Sequence, residues 1–173
     1  IAVVGESGCG KSTLAKLITR VEMPDSGQIL FDDSDLTLLR GKELRLKRQK
    51  IQMVFQQPMA AISPRMTIGR FMRVPLVNFH VVEKSQIEEE VDRLLAMVQL
   101  PASYKEKLPH EVSGGELQRV MIARAMAGRP SLLICDEATS ALDVAVQQEI
   151  IVLIRKLQEE TGVACIFITH DLS

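Results

Sequence analysis

Apolar positions fall along this chain in two rhythms, short unbroken runs and stripes at helical spacing. Ile1–Val4 is a run that leads into a glycine-rich segment, after which Leu14, Leu17 and Ile18 recur at helical spacing within Lys11–Arg20. That order predicts strand, loop, helix. A turn at Pro24-Asp25-Ser26-Gly27 precedes a strand predicted over Gln28–Asp32. The basic stretch from Arg40 to Lys50 reads as a solvated helix face leading into strand Ile51–Phe55. Ser85-Gln86-Ile87-Glu88 has the form of a capping box, and Ile87, Val91, Leu94, Leu95 and Val98 then share one helical face. Pro101 and Pro109 bracket a polar connection. A helix is predicted over Leu117–Ala127, stopped by Gly128 and Pro130, then strand Ser131–Cys135, helix Val144–Glu160 and strand Val163–Thr169.

Strands alternating with helices at both ends of the chain predict an α/β fold with a mainly parallel sheet flanked by helices. The stretch Pro58–Gly128 reads instead as a mostly helical insertion. The expected organisation is a core made of 1–57 and 129–173, interrupted by a helical subdomain at 58–128. Because the chain opens inside one apolar run and stops just after another, it is read as a piece of a longer protein.

Composition narrows this picture only a little. The 173 residues suffice for a real core, and 46% hydrophobic with 25% charged residues is ordinary for a globular α/β protein. A net charge of −1 gives no reason to expect nucleic acid as a partner, and no aromatics interleave with the Arg40–Lys50 charges. No apolar run approaches a bilayer span. The three cysteines show no CxxC spacing, so a zinc site and a disulfide framework are not indicated, and a reduced cytosolic compartment fits.

The glycine segment Gly5-Glu6-Ser7-Gly8-Cys9-Gly10-Lys11-Ser12 matches GxxxxGK[ST] between a predicted strand and helix, the context that motif requires. Such glycines let the backbone wrap a triphosphate, so that N–H groups and the helix N-terminus meet its charge. Lys11 should reach the β- and γ-phosphates and the Ser12 hydroxyl should ligate Mg²⁺, and Thr13, next on the helix, is expected among the nucleotide-binding residues. Cys9 is either a small residue filling the loop or a reactive thiol beside bound phosphate. Strand Leu132–Cys135 ends in Asp136-Glu137. Asp136 is expected in the Mg²⁺ shell through water, and Glu137 as the general base that polarises the attacking water. Gln56, at the end of a strand, can meet Mg²⁺ through its carbonyl and hydrogen-bond that water, although glutamine is common in any loop. His170 stands at the carboxyl end of the last strand, where ligands of α/β proteins gather. His80 and His110 receive no role.

In order along the chain, these segments resemble the ATP-binding cassette (ABC) ATPases: the phosphate loop, then Val112-Ser113-Gly114-Gly115-Glu116, then Cys135–Asp143, then Ile168-Thr169-His170-Asp171. The likeness covers essentially the whole chain and implies a P-loop NTPase fold. It makes Gln56 the Q-loop residue, Val112–Glu116 the signature, Ser140-Ala141-Leu142-Asp143 the D-loop and His170 the switch histidine. Finer matches resemble the peptide and nickel importers: Ile51–Gln56 with Ile62–Ile68, Pro109-His110-Glu111, and Ser140–Gln147. The resemblance implies ATP and Mg²⁺ as cofactors and a head-to-tail dimer with a second ATP-binding subunit, either a copy or a related chain. Each ATP would lie between one phosphate loop and the partner's Ser113-Gly114-Gly115. It further implies membrane-spanning permease subunits, an extracytoplasmic binding protein engaged indirectly, and a peripheral location at the cytoplasmic face of the membrane. The rival is a soluble ABC ATPase of DNA repair, iron–sulfur assembly or translation. Glu116 argues for that rival, since it stands where the signature usually has glutamine; its carboxylate is expected near the facing nucleotide, weakening the ATP-bound dimer modestly. Ala138 replaces a common proline, and the family's adenine-stacking aromatic would fall before Ile1.

Overall fold

Four apolar runs form one parallel sheet: β1 (Ala2–Val4), β4 (Ile51–Val54), β5 (Leu132–Asp136) and β6 (Ala164–Thr169), in the order β1-β6-β5-β4. The computed structural model describes residues 1–6, 8–55, 57–138 and 142–169. Helix α1 (Lys11–Ile18) follows β1, and the short hairpin β2 (Leu30–Phe31) and β3 (Ser34–Asp35) precedes α2 (Gly41–Lys50). Beyond β4 come α3 (Pro58–Ala61), α4 (Ile68–Asn78), α5 (Ile87–Met97) and α6 (Gly114–Met126), with 3₁₀ turns at Lys84–Gln86, Ala102–Glu106 and Pro109–Glu111; α7 (Val144–Thr161) connects β5 to β6.

Side chains alternate across a strand, so each strand feeds two cores. Leu133 and Cys135 of β5 and Cys165 of β6 face a large apolar cluster shared with α4, α5, α6 and α7. Ile134 of β5, Ile168 of β6 and Ile51 of β4 face the other way, onto Ala15 of α1 and Leu36. The predicted parallel sheet is therefore present with helices on both faces. The helical stretch after β4 shares its core with one face of that sheet. Among the described residues, no helix is long and apolar enough to cross a membrane.

Three local readings change. The strand expected over Gln28–Asp32 is half of a hairpin: Asp32 and Asp33 take positive φ (45° and 58°) in the two-residue turn between β2 and β3. The capping box before α5 is made by Glu83 and Gln86, not Ser85 and Glu88. Glu88 instead accepts from Arg73 of α4 at 2.7 Å, a pairing that spacing along one helix does not reveal. Helix α6 begins at Gly114, three residues before the expected start, because Ser113 and Glu116 form a capping box of their own. The basic helix α2 is exposed as expected, but Arg48 donates back to the carbonyls of Thr19, at 3.2 Å, and Arg20, closing the C-terminus of α1.

Candidate nucleotide site

Parallel register brings the candidate residues to one edge of the sheet. Asp136 pairs with Ile168 and Val4 with Thr169, so the carboxyl ends of β1, β5 and β6 lie level. The glycine loop leaves β1 at that edge and enters α1 through Gly10, in the left-handed conformation at φ 95° with no side-chain cap. Gly8 is also left-handed, at φ 83°, which a residue with a Cβ adopts only at a cost. The first N–H groups of α1 therefore sit at an open helix N-terminus, the arrangement that binds phosphate.

Lys11 is only 8% exposed, and its Nζ donates to the carbonyls of Gly5 at 2.7 Å and Glu6 at 2.8 Å. The ammonium is thus held inside the curl of the loop. Cys9 is exposed with its Sγ 3.9 Å from Lys11 Nζ, and a Cβ added to Gly5 would lie 2.8 Å from that sulfur. Cys9 therefore packs against Gly5, which favours its reading as a loop filler. Burial pushes the thiols of Cys135 and Cys165 up, so neither is a ready nucleophile.

Ser12 Oγ donates to Asp136 Oδ1 at 3.2 Å, joining positions 124 residues apart in sequence. A hydroxyl and a carboxylate oxygen at this spacing are hard donors that suit Mg²⁺, whose remaining ligands would be phosphate oxygens and water. Among the described residues, no group of three His, Cys, Asp or Glu side chains could hold a metal unaided. Glu137, half-buried, has φ 47°, and its N–H donates to Ile168 O at 2.9 Å. A non-glycine residue held in that region costs free energy, and such outliers cluster at functional sites. Thr13 is exposed on the first turn of α1. Gln56, His170 and Ser7 lie outside the described residues, as do Ser140 and Ala141 of the expected D-loop.

The signature segment is built differently. Ser113 caps α6: its Oγ accepts from Glu116 N–H at 3.3 Å, while Ser113 N–H donates to Glu116 Oε2 at 2.8 Å. A Cβ on Gly115 would lie 2.6 Å from Val146 Cγ1, and one on Gly114 would lie 3.4 Å from Leu142 Cδ2. The absent side chain of Gly115 thus makes room for α7. Glu116 has a third contact that no spacing rule foretold: Tyr104 O–H donates to its Oε1 at 2.5 Å. The Tyr104 hydroxyl and the Ser113 backbone N–H hold the Glu116 carboxyl below its ordinary range.

The family model for ABC transporters matches residues 1–140. The chain belongs to that family. Among curated members, it is 49% identical over 173 residues to a probable peptide ABC transporter ATP-binding protein, y4tS, of Sinorhizobium fredii, covering 100% of this chain and 49% of that one. It is 42% identical over 173 residues to the dipeptide transport ATP-binding protein DppF of Escherichia coli (100% of this chain, 52% of that one). With the nickel import ATP-binding protein NikE of Brucella abortus it shares 41% over 172 residues (99% and 65%). The chain thus spans about half the length of the peptide-transport relatives. Among solved ABC structures, the dimeric post-hydrolysis state of the cassette MJ0796 bound to ADP and Pi matches with a TM-score of 0.85 at 32% identity, over 99% of this chain and 74% of that one. CbiO1 of Clostridium perfringens, part of the transporter complex cbiONQ, matches with a TM-score of 0.86 at 33% identity (98% and 66%).

Proposed function

We propose that this chain is the cassette of an ATP-hydrolysing subunit that drives an importer for peptides or nickel from the cytoplasmic face of the membrane. The observation that carries the reading is the meeting of Ser12 and Asp136 at 3.2 Å, which joins the phosphate loop to the acidic strand end. Similarity to peptide transport and nickel import proteins supports an importer over a soluble ATPase. In this reading, residues 1–57 and 129–173 form the catalytic core and 58–128 the helical subdomain that docks on permease subunits.

The chemistry follows from the residues. Backbone N–H groups of Gly8–Ser12, with Gly5–Ser7, cradle the triphosphate of ATP, and Lys11 shifts its ammonium from loop carbonyls to phosphate oxygens. Ser12, Asp136 and Gln56 hold Mg²⁺, which when bound neutralises charge on the phosphate oxygens. Glu137 accepts a proton from the water that attacks the γ-phosphorus as the bond to the bridging oxygen breaks. Gln56 orients that water, and His170 contacts the γ-phosphate. Ser113, Gly114, Gly115 and Glu116 of one cassette close over the ATP of a second cassette, a copy or a related chain, arranged head to tail. An extracytoplasmic binding protein delivers cargo to the permease without touching this subunit.

Steady-state ATPase assays on the full-length protein test this directly. Glu137→Gln should lower turnover by about 10²–10⁴-fold, the usual worth of a positioned general base, while leaving ATP binding intact. Wild-type turnover in that variant would remove Glu137 from the chemistry.

A further inference from the structure

Glu116 places a negative charge in a segment proposed to meet a nucleotide. Its geometry shows how that charge is contained. Each carboxylate oxygen already has a donor within the chain: Ser113 N–H at 2.8 Å on Oε2 and Tyr104 O–H at 2.5 Å on Oε1. Lys107 Nζ lies 3.7 Å from the centre of the Tyr104 ring, so a cation sits over the phenol.

Tyr104 is itself firmly mounted. It lies in the 3₁₀ turn Ala102–Glu106, directly against α4. Ile68 N–H donates to Lys107 O at 2.9 Å, and a Cβ on Gly69 would come within 2.9 Å of Lys105 O. The backbones touch there, leaving no side chain to slide. A rigid path therefore runs from α4 through this turn to Tyr104, and from its hydroxyl to Glu116 and the N–H of Ser113. Ser113-Gly114-Gly115 is thereby anchored to α4 as well as to its own helix.

We infer that Tyr104 is a positioning residue for the signature segment. Its hydroxyl fixes the Glu116 carboxylate inward, so that Ser113-Gly114-Gly115 meets the facing nucleotide in one geometry and without an unpaired negative charge. This rests on the head-to-tail reading given above. It also revises the expectation for Glu116: the carboxylate serves as an anchor for the turn, and weakens the ATP-bound dimer only when Tyr104 is lost. The tyrosine touches no reacting atom, so its effect belongs to association of the two cassettes.

The test is a double-mutant cycle on ATP-driven association, measured by sedimentation. It uses the full-length protein paired with the second ATP-binding subunit of its transporter, with Glu137→Gln present to stop hydrolysis. Tyr104→Phe should weaken association about tenfold, the low end of what a hydrogen bond to a charged group is worth. ATP binding to the separate subunit should not change. In the Glu116→Gln background, the amide can still bond the phenol but without charge assistance, and the effect of Tyr104→Phe should fall to about twofold or less. Equal loss in both backgrounds would make Tyr104 a packing residue only, and no loss in either would also overturn the inference. Absence of any ATP-driven association with Tyr104 and Glu116 intact would sink the head-to-tail reading, and this inference with it.

Discussion

The glycine loop and the signature segment are both small-residue turns at helix N-termini, yet their N-termini are finished in opposite ways. The loop enters α1 through left-handed Gly10 with no side-chain cap. Its own lysine is tied to loop carbonyls at 2.7 and 2.8 Å. The signature enters α6 through a complete capping box whose carboxylate is held from a second side by Tyr104. An uncapped N-terminus keeps its donors for an anion that arrives and leaves. In the capped one, the N–H groups of Ser113 and Glu116 are bonded within the chain, which fixes the shape of the turn. Glycine serves each differently: positive φ at Gly8 and Gly10, but close packing against Val146 at Gly115. Similar sequence texture therefore encodes a binding cradle in one place and a rigid contact surface in the other.

The largest test of that contrast is removal of the lysine. Lys11→Ala in the full-length protein removes an ammonium that is only 8% exposed and leaves the phosphate charge without that partner. Truncating one partner of such a pair costs about 2–5 kcal/mol, which is roughly a thirtyfold or greater loss of ATP affinity. Titration with a fluorescent ATP analogue reads this directly. An affinity within a factor of three of wild type would mean that the loop backbone alone holds the nucleotide.

The signature should respond through stability instead. Gly115→Ala drives a methyl group to 2.6 Å from Val146 Cγ1. A β-branched side chain at the start of α7 has little room to turn away, so overpacking should cost about 1–3 kcal/mol. Denaturant unfolding would show a lower midpoint, and adding Val146→Ala should restore most of it. If the second substitution restores nothing, the glycine serves a purpose other than packing on α7. ATP binding to the separate subunit should be unaffected by either change.

These two regions also mark how far the sequence could be read. The loop and the acidic strand end were legible because each is a contiguous motif whose flanking strand and helix follow from apolar spacing. The meeting of Ser12 with Asp136 then follows from parallel strands in register. Anchoring of the signature was half legible. Ser113-x-x-Glu116 has the form of a capping box, but the helix was expected only from Leu117, three residues after its start at Gly114. Tyr104 was invisible, because a contact twelve residues away through a 3₁₀ turn has no periodic signature. Helix α4 was hidden for a different reason. Pro75 lies inside it, where proline ordinarily ends a helix, but α4 is held by the burial of Ile68, Phe71, Met72 and Leu76 against its neighbours. The hairpin at Asp32-Asp33 was missed because two aspartates carry the left-handed turn that glycine or asparagine more often announces.

The smallest expected effect lies in the acid limb of stability. The carboxyl of Glu116 is held below its ordinary range, first by the Tyr104 hydroxyl and next by the backbone N–H of Ser113. A carboxyl depressed in the folded state contributes stability that is fully present above its unfolded pKa, about 4.3, and is lost as pH falls through the lower folded value. The stability difference between the full-length protein and its Glu116→Gln variant should therefore be flat from neutrality down to about pH 5, then shrink as pH falls below about 4. Glu88, Glu90 and Asp35 are depressed too, by Arg73, Arg93 and Thr37 respectively, but they are present in both proteins and cancel in the difference. Urea unfolding at stepped pH measures it. Tyr104→Phe should make the same difference fade at a higher pH, because the first cause of the depression is gone; an unchanged profile would assign the depression to the capping box alone.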